Sequence, residues 1–162
     1  MMNYYRQYVA TGGMPEVVQK YIDIKDFREV DRVQRSLLQG YQYDIAHYAT
    51  AEEKVKAEKC YLSLAKQLLD KENHKFQYKE IEHGGRAQKY YSSVEWLLRA
   101  DMVQLCKRVT DVRFDLDDYA RDDFFRAYTT DLSLLMAMKD FSLKQHIVEN
   151  TLAGNSKGGI YE

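Results

Sequence analysis

Six aspartates between residues 111 and 123 are the first group in the sequence that could bind a metal ion. A calcium loop of the EF-hand type needs oxygen ligands at its first, third and fifth positions, glycine at its sixth and an acidic residue at its twelfth. If the loop starts at Asp115, its sixth residue is Ala120 and its twelfth is Arg126. The pattern fails, and we interpret the span as a solvated acidic hairpin loop. Its aspartates are Asp111, Asp115, Asp117, Asp118, Asp122 and Asp123.

A phosphate-binding loop is the second chemistry to consider. Residues 154–159 read Gly-Asn-Ser-Lys-Gly-Gly, whereas a P-loop needs a lysine that directly follows a glycine, after a strand. Lys157 instead precedes a glycine pair, and no predicted strand leads into the segment. We therefore expect no cofactor to bind this chain.

Histidine and cysteine provide little more. The four histidines, at positions 47, 74, 83 and 146, contain no i, i+4 pair and have no nearby cysteine, so a zinc site is unsupported. Cys60 and Cys106 form no CxxC pair, and we interpret both as buried reduced thiols, as suits a cytoplasmic protein. The sequence leaves a disulfide between them open. No serine or cysteine has the sequence setting of a nucleophile.

The composition limits the fold and the partners. Eight glycines and one proline in 162 residues favour long helices over a many-turned β-sandwich or barrel. Since 24 basic side chains face 25 acidic ones, no global positive field attracts nucleic acid or an anionic membrane. No apolar run approaches the roughly 20 residues of a membrane span. We expect a cytoplasmic protein without a membrane partner.

Helical periodicity organises the first 50 residues. The glycine pair at 12–13 ends what precedes it, and Pro15 suits the first turn of a helix through Tyr21. Asp26 and Glu29 form a capping box, which predicts a long amphipathic helix after it. Its expected apolar stripe is Val30, Val33, Leu37, Leu38, Tyr41, Ile45 and Tyr48.

Two further helices are predicted between residues 50 and 100. Thr50 and Glu53 form a second capping box. The helix that follows carries the apolar residues Ala57, Tyr61, Leu64, Ala65, Leu68 and Leu69. Another helix runs from Arg86 to about Ala100. It is expected to bury Tyr90, Val94, Leu97 and Leu98.

The remaining pattern predicts a β-hairpin and a final helix. Residues 103–109 are rich in β-formers and form one strand, with residues 124–130 as its partner. A last helix covers about Ser142 to Ala153. The fold is therefore mainly α: a helical linker or lid-like segment over residues 1–50 and a winged-helix domain with a small β-hairpin over 51–135. A C-terminal helix and loop occupy 136–162.

DNA binding is the main functional alternative, because a winged helix often places its third helix in the major groove. Residues 66–89 carry six basic and four acidic side chains, a net charge of +2. The candidate surface for a nucleic acid or a partner is Lys75, Lys79, Arg86, Lys89, Ser92 and Arg99. However, Glu95 lies on the same helix face, and the aspartates at the hairpin would repel phosphate. We therefore favour a structural coupling module over autonomous duplex binding.

Six segments carry a resemblance to a known family. They are Gly-Gly-Met-Pro-Glu-Val-Val at 12–18, Asp44-Ile45 with Tyr48, Gln67-Leu68 followed by Asn-His-Lys-Phe-Gln-Tyr at 73–78, Ser-Val-Glu-Trp-Leu-Leu at 93–98, Phe-Arg-Ala-Tyr-Thr-Thr-Asp-Leu-Ser-Leu-Leu at 125–135 and Lys-Gly-Gly-Ile-Tyr-Glu at 157–162. In this order they make the chain resemble the prokaryotic AAA-type ATP-binding proteins that carry an uncharacterised C-terminal region with a nuclease-like core. The family usually has glycine where Ser133 stands, and a proline before the second wing strand.

The resemblance implies that the chain is the middle of a longer protein. An ATPase domain that binds ATP and magnesium would precede it, and the nuclease-like core would follow. Its partners would be these two domains, with a further protein or a homo-oligomer as additional candidates. By the same resemblance, Glu162 matches the first acidic position of the nuclease-like motif. Without the other metal-binding acids, Glu162 can perform no chemistry in this chain.

Overall fold

Seven α-helices and one β-hairpin make up residues 2–70 and 75–152, the part of the chain that the computed structural model describes. The elements are α1 (Met2–Thr11), α2 (Pro15–Ile24), α3 (Phe27–Tyr48), α4 (Glu53–Leu69), α5 (Ala87–Arg99), β1 (Val103–Val109), β2 (Ala120–Thr129), α6 (Leu132–Ala137) and α7 (Phe141–Glu149). Two short 3-10 turns occur at Tyr78–Glu80 and Asp117–Tyr119. The mainly α fold with a small antiparallel β-hairpin is confirmed.

The predicted cap of α3 forms at Asp26, whereas the N-cap of α4 is Glu52 instead of Thr50, and neither capping box closes. The Asp26 carboxylate accepts a hydrogen bond from the Arg28 backbone N–H at 2.8 Å. The Thr50 hydroxyl accepts one from the Glu53 N–H at 3.3 Å. Glu29 turns away to pair with Arg32. The capping-box prediction is therefore right about where α3 starts, places the start of α4 two residues too early, and is wrong about where the two glutamates point.

One cluster of buried apolar side chains draws on all three predicted segments. The cluster includes Val9 and Ile45 from the first segment, Tyr61, Leu97 and Phe125 from the second, and Met136 and Ile147 from the third. α3 packs against α2, α4 and α6, and α1 packs against α6 and α7. The described residues of all three segments thus share one apolar core. The segment boundaries after residues 50 and 135 stay predictions.

Two helical residues predicted to be buried are exposed. Tyr48 is 74% exposed and Leu98 is 40% exposed. Tyr48 is the last residue of α3, and its ring meets only the neighbouring His47 edge-on at 4.7 Å among the described rings. Successive residues of a helix lie about 100° apart. Leu98 therefore falls off the line of Tyr90, Val94 and Leu97, which are buried.

The hairpin is longer and less regular than predicted. β1 spans Val103–Val109 as expected, but β2 starts at Ala120 instead of residue 124 and ends at Thr129. Lys107 pairs with Phe125 and Arg108 with Arg121, so a bulge leaves residues 122–124 without partners. Asp122 and Asp123 consequently lie in β2, and the loop prediction was wrong for these two aspartates.

The final helix starts one residue before its predicted start at Ser142 and ends earlier than predicted. α7 ends at Glu149 because Asn150 adopts a left-handed conformation, with φ 58°, and its N–H caps the carbonyls of His146 and Ile147. Asparagine tolerates this conformation better than most residues. The predicted end at Ala153 lies outside the described residues.

A close backbone approach joins the end of α1 to the start of α6. Gly12 has φ +80°, and a Cβ there would lie 2.1 Å from Ser133 Oγ and 2.3 Å from Ser133 N. The Gly13 N–H donates to both carboxylate oxygens of Asp131, at 3.1 and 3.0 Å. Asp131 also accepts from the Ser133 N–H at 2.7 Å and so caps α6. We call Thr11, Gly12, Gly13, Asp131 and Ser133 the glycine junction.

Two buried side chains satisfy the last carbonyls of α1. Gln34 of α3 is fully buried, and its Nε2 donates to the carbonyls of Ala10 and Thr11, at 2.9 Å each. Ser133 Oγ donates to the Thr11 carbonyl at 2.8 Å. The serine that replaces the glycine usual in the resembling family therefore makes a hydrogen bond across the glycine junction.

A buried ion pair attaches α7 to α3. Lys144 is fully buried and its Nζ pairs with the carboxylate of Asp31. Asp31 also accepts from Arg35 Nε at 2.7 Å, and Arg35 Nη2 donates to the Lys139 carbonyl at 2.9 Å. Burial lowers the pKa of Lys144, while the contact with Asp31 opposes that shift. α7 is thus held by a polar contact as well as by its apolar face.

The glycine junction predicts opposite effects at two glycines. Gly12→Ala should lower the free energy of unfolding by about 3 kcal/mol, because the new Cβ needs an unfavourable φ and overlaps Ser133. Gly40→Ala is the control, since nothing lies within 4 Å of its Cβ on α3. It should raise the free energy by about 1 kcal/mol. Urea unfolding followed by circular dichroism measures both, and equal effects would contradict the structure.

Candidate functional site

A cleft of about 730 Å³ lies beside the hairpin, between residues 75–79, the start of α5 and the bulge of β2. We call it the hairpin cleft. Phe76, Tyr78 and Tyr91 contribute aromatic rings to its wall, and the bulge contributes Asp122 and Asp123. Aromatic rings beside charged groups favour a ligand that has both an apolar and a charged part.

Hydrogen bonds and stacked rings fix the wall of the hairpin cleft. The Phe76 N–H donates to the Phe125 carbonyl at 2.7 Å, which joins this segment to β2. The Phe76 ring stacks on Phe125 at 5.5 Å and meets Tyr78 edge-on at 5.2 Å. Burial is the main cause that raises the pKa of Tyr78 to about 12. Its hydroxyl is therefore a neutral hydrogen-bonding group at physiological pH.

The positive charges of the hairpin cleft are available, while its negative charges are already paired. Lys75, Lys79 and Arg86 are exposed, and none forms an ion pair with another described residue. Asp122 pairs with Lys107 at 2.6 Å. Asp123 accepts two hydrogen bonds from Arg121, at 2.9 and 2.6 Å, and this contact lowers its pKa. The cleft can therefore attract an anionic group.

Lys89 was predicted to belong to the same surface as Lys75, Lys79 and Arg86, but it forms an ion pair outside the hairpin cleft. Its Nζ pairs with Glu82, which also accepts from Lys59 at 3.1 Å. Hydrogen bonds from Lys89, Tyr90 and Lys59 lower the pKa of Glu82 to about 2. Glu82 thus links α4 to α5 and neutralises Lys89.

Ser92 and Arg99 lie at a second cleft, of about 300 Å³, between α4 and α5. Ser92 Oγ lies 3.4 Å from both carboxylate oxygens of Glu53, and Ser93 Oγ donates to the same carboxylate. Of the six residues predicted as one surface, the structure brings Lys75, Lys79 and Arg86 together and places the other three elsewhere. Glu162, the glycine-rich segment 154–159 and the sixth segment of the resemblance, at 157–162, lie outside the described residues.

The tip of the hairpin is a feature that the sequence analysis missed. We define the hairpin tip as residues 111–118. Val112 is 83% exposed, Leu116 is 48% exposed and Phe114 is fully exposed. Arg113 pairs with Asp111 at 2.7 Å. The solvated acidic loop therefore also presents three apolar side chains to solvent, and the alternation of apolar and charged residues over 112–116 was the signal for them.

The two cysteines differ from each other and from their prediction. Cys60 is buried as expected, but Cys106 is exposed, and both are free thiols. Cys106 occupies β1 on the side that faces solvent, because its neighbours Val103 and Leu105 take the positions against the core. Burial, with a smaller contribution from Glu53, raises the pKa of Cys60 to about 12. Cys60 therefore stays a neutral thiol, which is a poor nucleophile.

Within residues 2–70 and 75–152, no three His, Cys, Asp or Glu side chains come close enough together to hold a metal ion. In the same ranges, every helix is too short or too polar to cross a membrane.

Glu82 predicts how stability depends on pH. A carboxylate with a folded-state pKa near 2, against 4.5 for the ordinary group, stabilises the fold above pH 4.5, and this stabilisation disappears as the pH falls towards 2. Glu82→Gln should therefore be less stable than the unmodified chain at neutral pH, and the difference should shrink between these two pH values. Urea unfolding at several pH values measures it. Glu149→Gln, on an exposed residue at the end of α7, is the control for the removal of one carboxylate from the surface.

One comparison with known proteins identifies a family. A family model described as "Domain of unknown function (DUF8612)" matches residues 2–145. No curated protein and no solved structure matches the chain. The matched range covers α1 to α6, the hairpin cleft, the hairpin tip and the first turn of α7. The chain therefore belongs to the DUF8612 family.

Proposed function

We propose that this chain is a non-catalytic module for protein contacts, which couples an ATPase domain to a nuclease-like region in a longer AAA-type ATPase. The observation that carries the proposal is the hairpin tip, which exposes Val112, Phe114 and Leu116 among four aspartates. Exposed apolar side chains of this size gain free energy when they are buried against another protein. The aspartates would repel the phosphates of a nucleic acid.

The fold supports a coupling role through its first and last described helices. α1 packs against both α6 and α7. The glycine junction fixes α1 to α6 by hydrogen bonds, and Lys144 fixes α7 to Asp31 of α3. A displacement applied to α1 therefore acts directly on the helices that lead to the C-terminus. In this proposal the chain is cytoplasmic, and ATP and magnesium bind to the preceding domain.

The alternative is a DNA-binding winged helix. The succession of α4, the 3-10 turn Tyr78–Glu80, α5, β1 and β2 supports this alternative, and so do the unpaired cations of the hairpin cleft. Two observations count against it. Lys89 on α5 is neutralised by Glu82, and the wing carries aspartates where a DNA-binding wing needs cations. Since phosphate contacts supply most non-specific affinity, we place this function second.

Titration of labelled duplex DNA separates the two functions. The coupling module should show no binding that weakens steeply with salt when fluorescence anisotropy is measured at about 50 and 200 mM salt. A DNA-binding winged helix would lose affinity at least about tenfold between these salt concentrations. It would also lose binding on Lys75→Glu or Arg86→Glu but not on Lys54→Glu, a control on an exposed lysine of α4.

The coupling proposal makes a further prediction about the longer protein. The coding sequence should carry a P-loop ATPase domain before Met1 and the remaining acidic motif of a nuclease-like core after Glu162. The chain by itself, incubated with ATP and magnesium, should release no phosphate. Sequencing of the flanking DNA and a phosphate-release assay check the two statements. Phosphate release by the purified chain, or flanks that encode neither domain, would contradict the proposal.

A further inference from the structure

We propose that two copies of this chain form a dimer in which the hairpin tip of each copy binds in the hairpin cleft of the other. This deepens the proposed function, because it names a second copy of the chain as one protein that the tip contacts. Three properties support this contact: the charges of the two features, the exposed apolar side chains of the tip, and the position of the cleft beside the same hairpin that carries the tip.

The hairpin cleft offers cations around an aromatic wall. Lys75, Lys79 and Arg86 line it without an ion pair among the described residues. Phe76 and Tyr78 form the apolar surface between them. Its two carboxylates, at positions 122 and 123, are neutralised by Lys107 and Arg121 of the hairpin itself. A segment that fits this cleft needs negative charge next to an apolar side chain.

The hairpin tip has this composition. Phe114 is fully exposed and is followed by Asp115, and Leu116 by two further aspartates. Asp111 is the one aspartate of the tip that pairs with a described cation, Arg113. The other three, Asp115, Asp117 and Asp118, can therefore face the three cations of the cleft. Opposite charges at such an interface fix the register and speed association.

A hairpin cannot insert its tip into a cleft at its own side. Seven pairs of residues hold β1 and β2 together, from Val103 with Thr129 to Val109 with Ala120. The tip follows directly after the last pair, while the bulge at residues 122–124 contributes to the cleft. Two hairpins that lie side by side in opposite directions bring each tip to the other's cleft. The two contacts are then equivalent about a two-fold axis, the commonest symmetry of protein dimers.

Sedimentation velocity of the full chain over a range of micromolar concentrations tests whether this dimer forms. We expect a monomer–dimer equilibrium that shifts towards monomer as salt is added, because exposed charges contribute to the contact. Phe114→Asp and the double variant Lys79→Glu/Arg86→Glu should each raise the dissociation constant at least about tenfold. Tyr4→Ser, which removes an exposed aromatic ring from α1, should leave it unchanged. The substituted side chains are exposed, and circular dichroism checks that each variant is folded.

A mixing experiment then tests that tip and cleft are the two partners. Phe114→Asp keeps an intact cleft, and Lys79→Glu/Arg86→Glu keeps an intact tip. An equimolar mixture should therefore form a heterodimer with one intact contact and associate more strongly than either variant alone. A dimer formed through any other surface would show no such rescue, and this result would overturn the proposal.

Two other results would also overturn it. They are a chain that stays monomeric at every concentration and salt, and a Phe114→Asp variant that dimerises like the unmodified chain. A chain that stays monomeric and binds duplex DNA through Lys79 and Arg86 would show that the hairpin cleft binds nucleic acid instead of a second copy. None of these outcomes decides whether an ATPase domain precedes the chain. The proposed dimer and the proposed coupling function can therefore be contradicted independently.

Discussion

The rest of the structure depends on a backbone contact that only glycine permits. At Gly12 the chain is left-handed, and the space where a Cβ would stand is occupied by Ser133. Because this approach is so close, Asp131 can accept from the Gly13 N–H and from the first turn of α6 with the same carboxylate. The end of β2, two residues before Asp131, is thereby fixed relative to α1. The hairpin protrudes in a defined direction because its base is held at this junction.

Ion pairing within the hairpin decides which charges face outwards. The bulge turns Asp122 and Asp123 towards the hairpin cleft, where two acidic groups alone would make it negative. Lys107 and Arg121 neutralise them, so the cations across the cleft determine its sign. On α5 the signs are reversed, because there the acidic Glu82 neutralises the basic Lys89. The net charge counted along the sequence therefore predicts the charge of neither the hairpin cleft nor α5. The charge that each surface presents depends on which of its groups lack a partner in the folded chain.

Local signals predicted the elements well, and contacts between distant residues account for the errors. The cap at Asp26 and the β-formers of residues 103–109 located a helix and a strand, and Thr50 located the start of α4 to within two residues, because each signal acts within about four residues. The bulge in β2 depends on register with β1 and on Phe76, some fifty residues away. The separation of Lys89 from Lys79 likewise depends on Glu82 and its contact with Lys59. Neither arrangement has a local sequence pattern.

The surroundings of the hairpin argue for protein contacts because the hairpin cleft and the hairpin tip carry opposite unpaired charges. A DNA-binding winged helix presents one sign of charge along both its third helix and its wing, since both approach the same phosphate backbone. Here the cations of the hairpin cleft lie across from the bulge of β2, and the aspartates of the hairpin tip lie beyond the paired strands. A surface with alternating sign gains little from a uniformly negative partner. It is complementary to a surface with the same alternation in the opposite direction, and an antiparallel second copy of the hairpin has that arrangement.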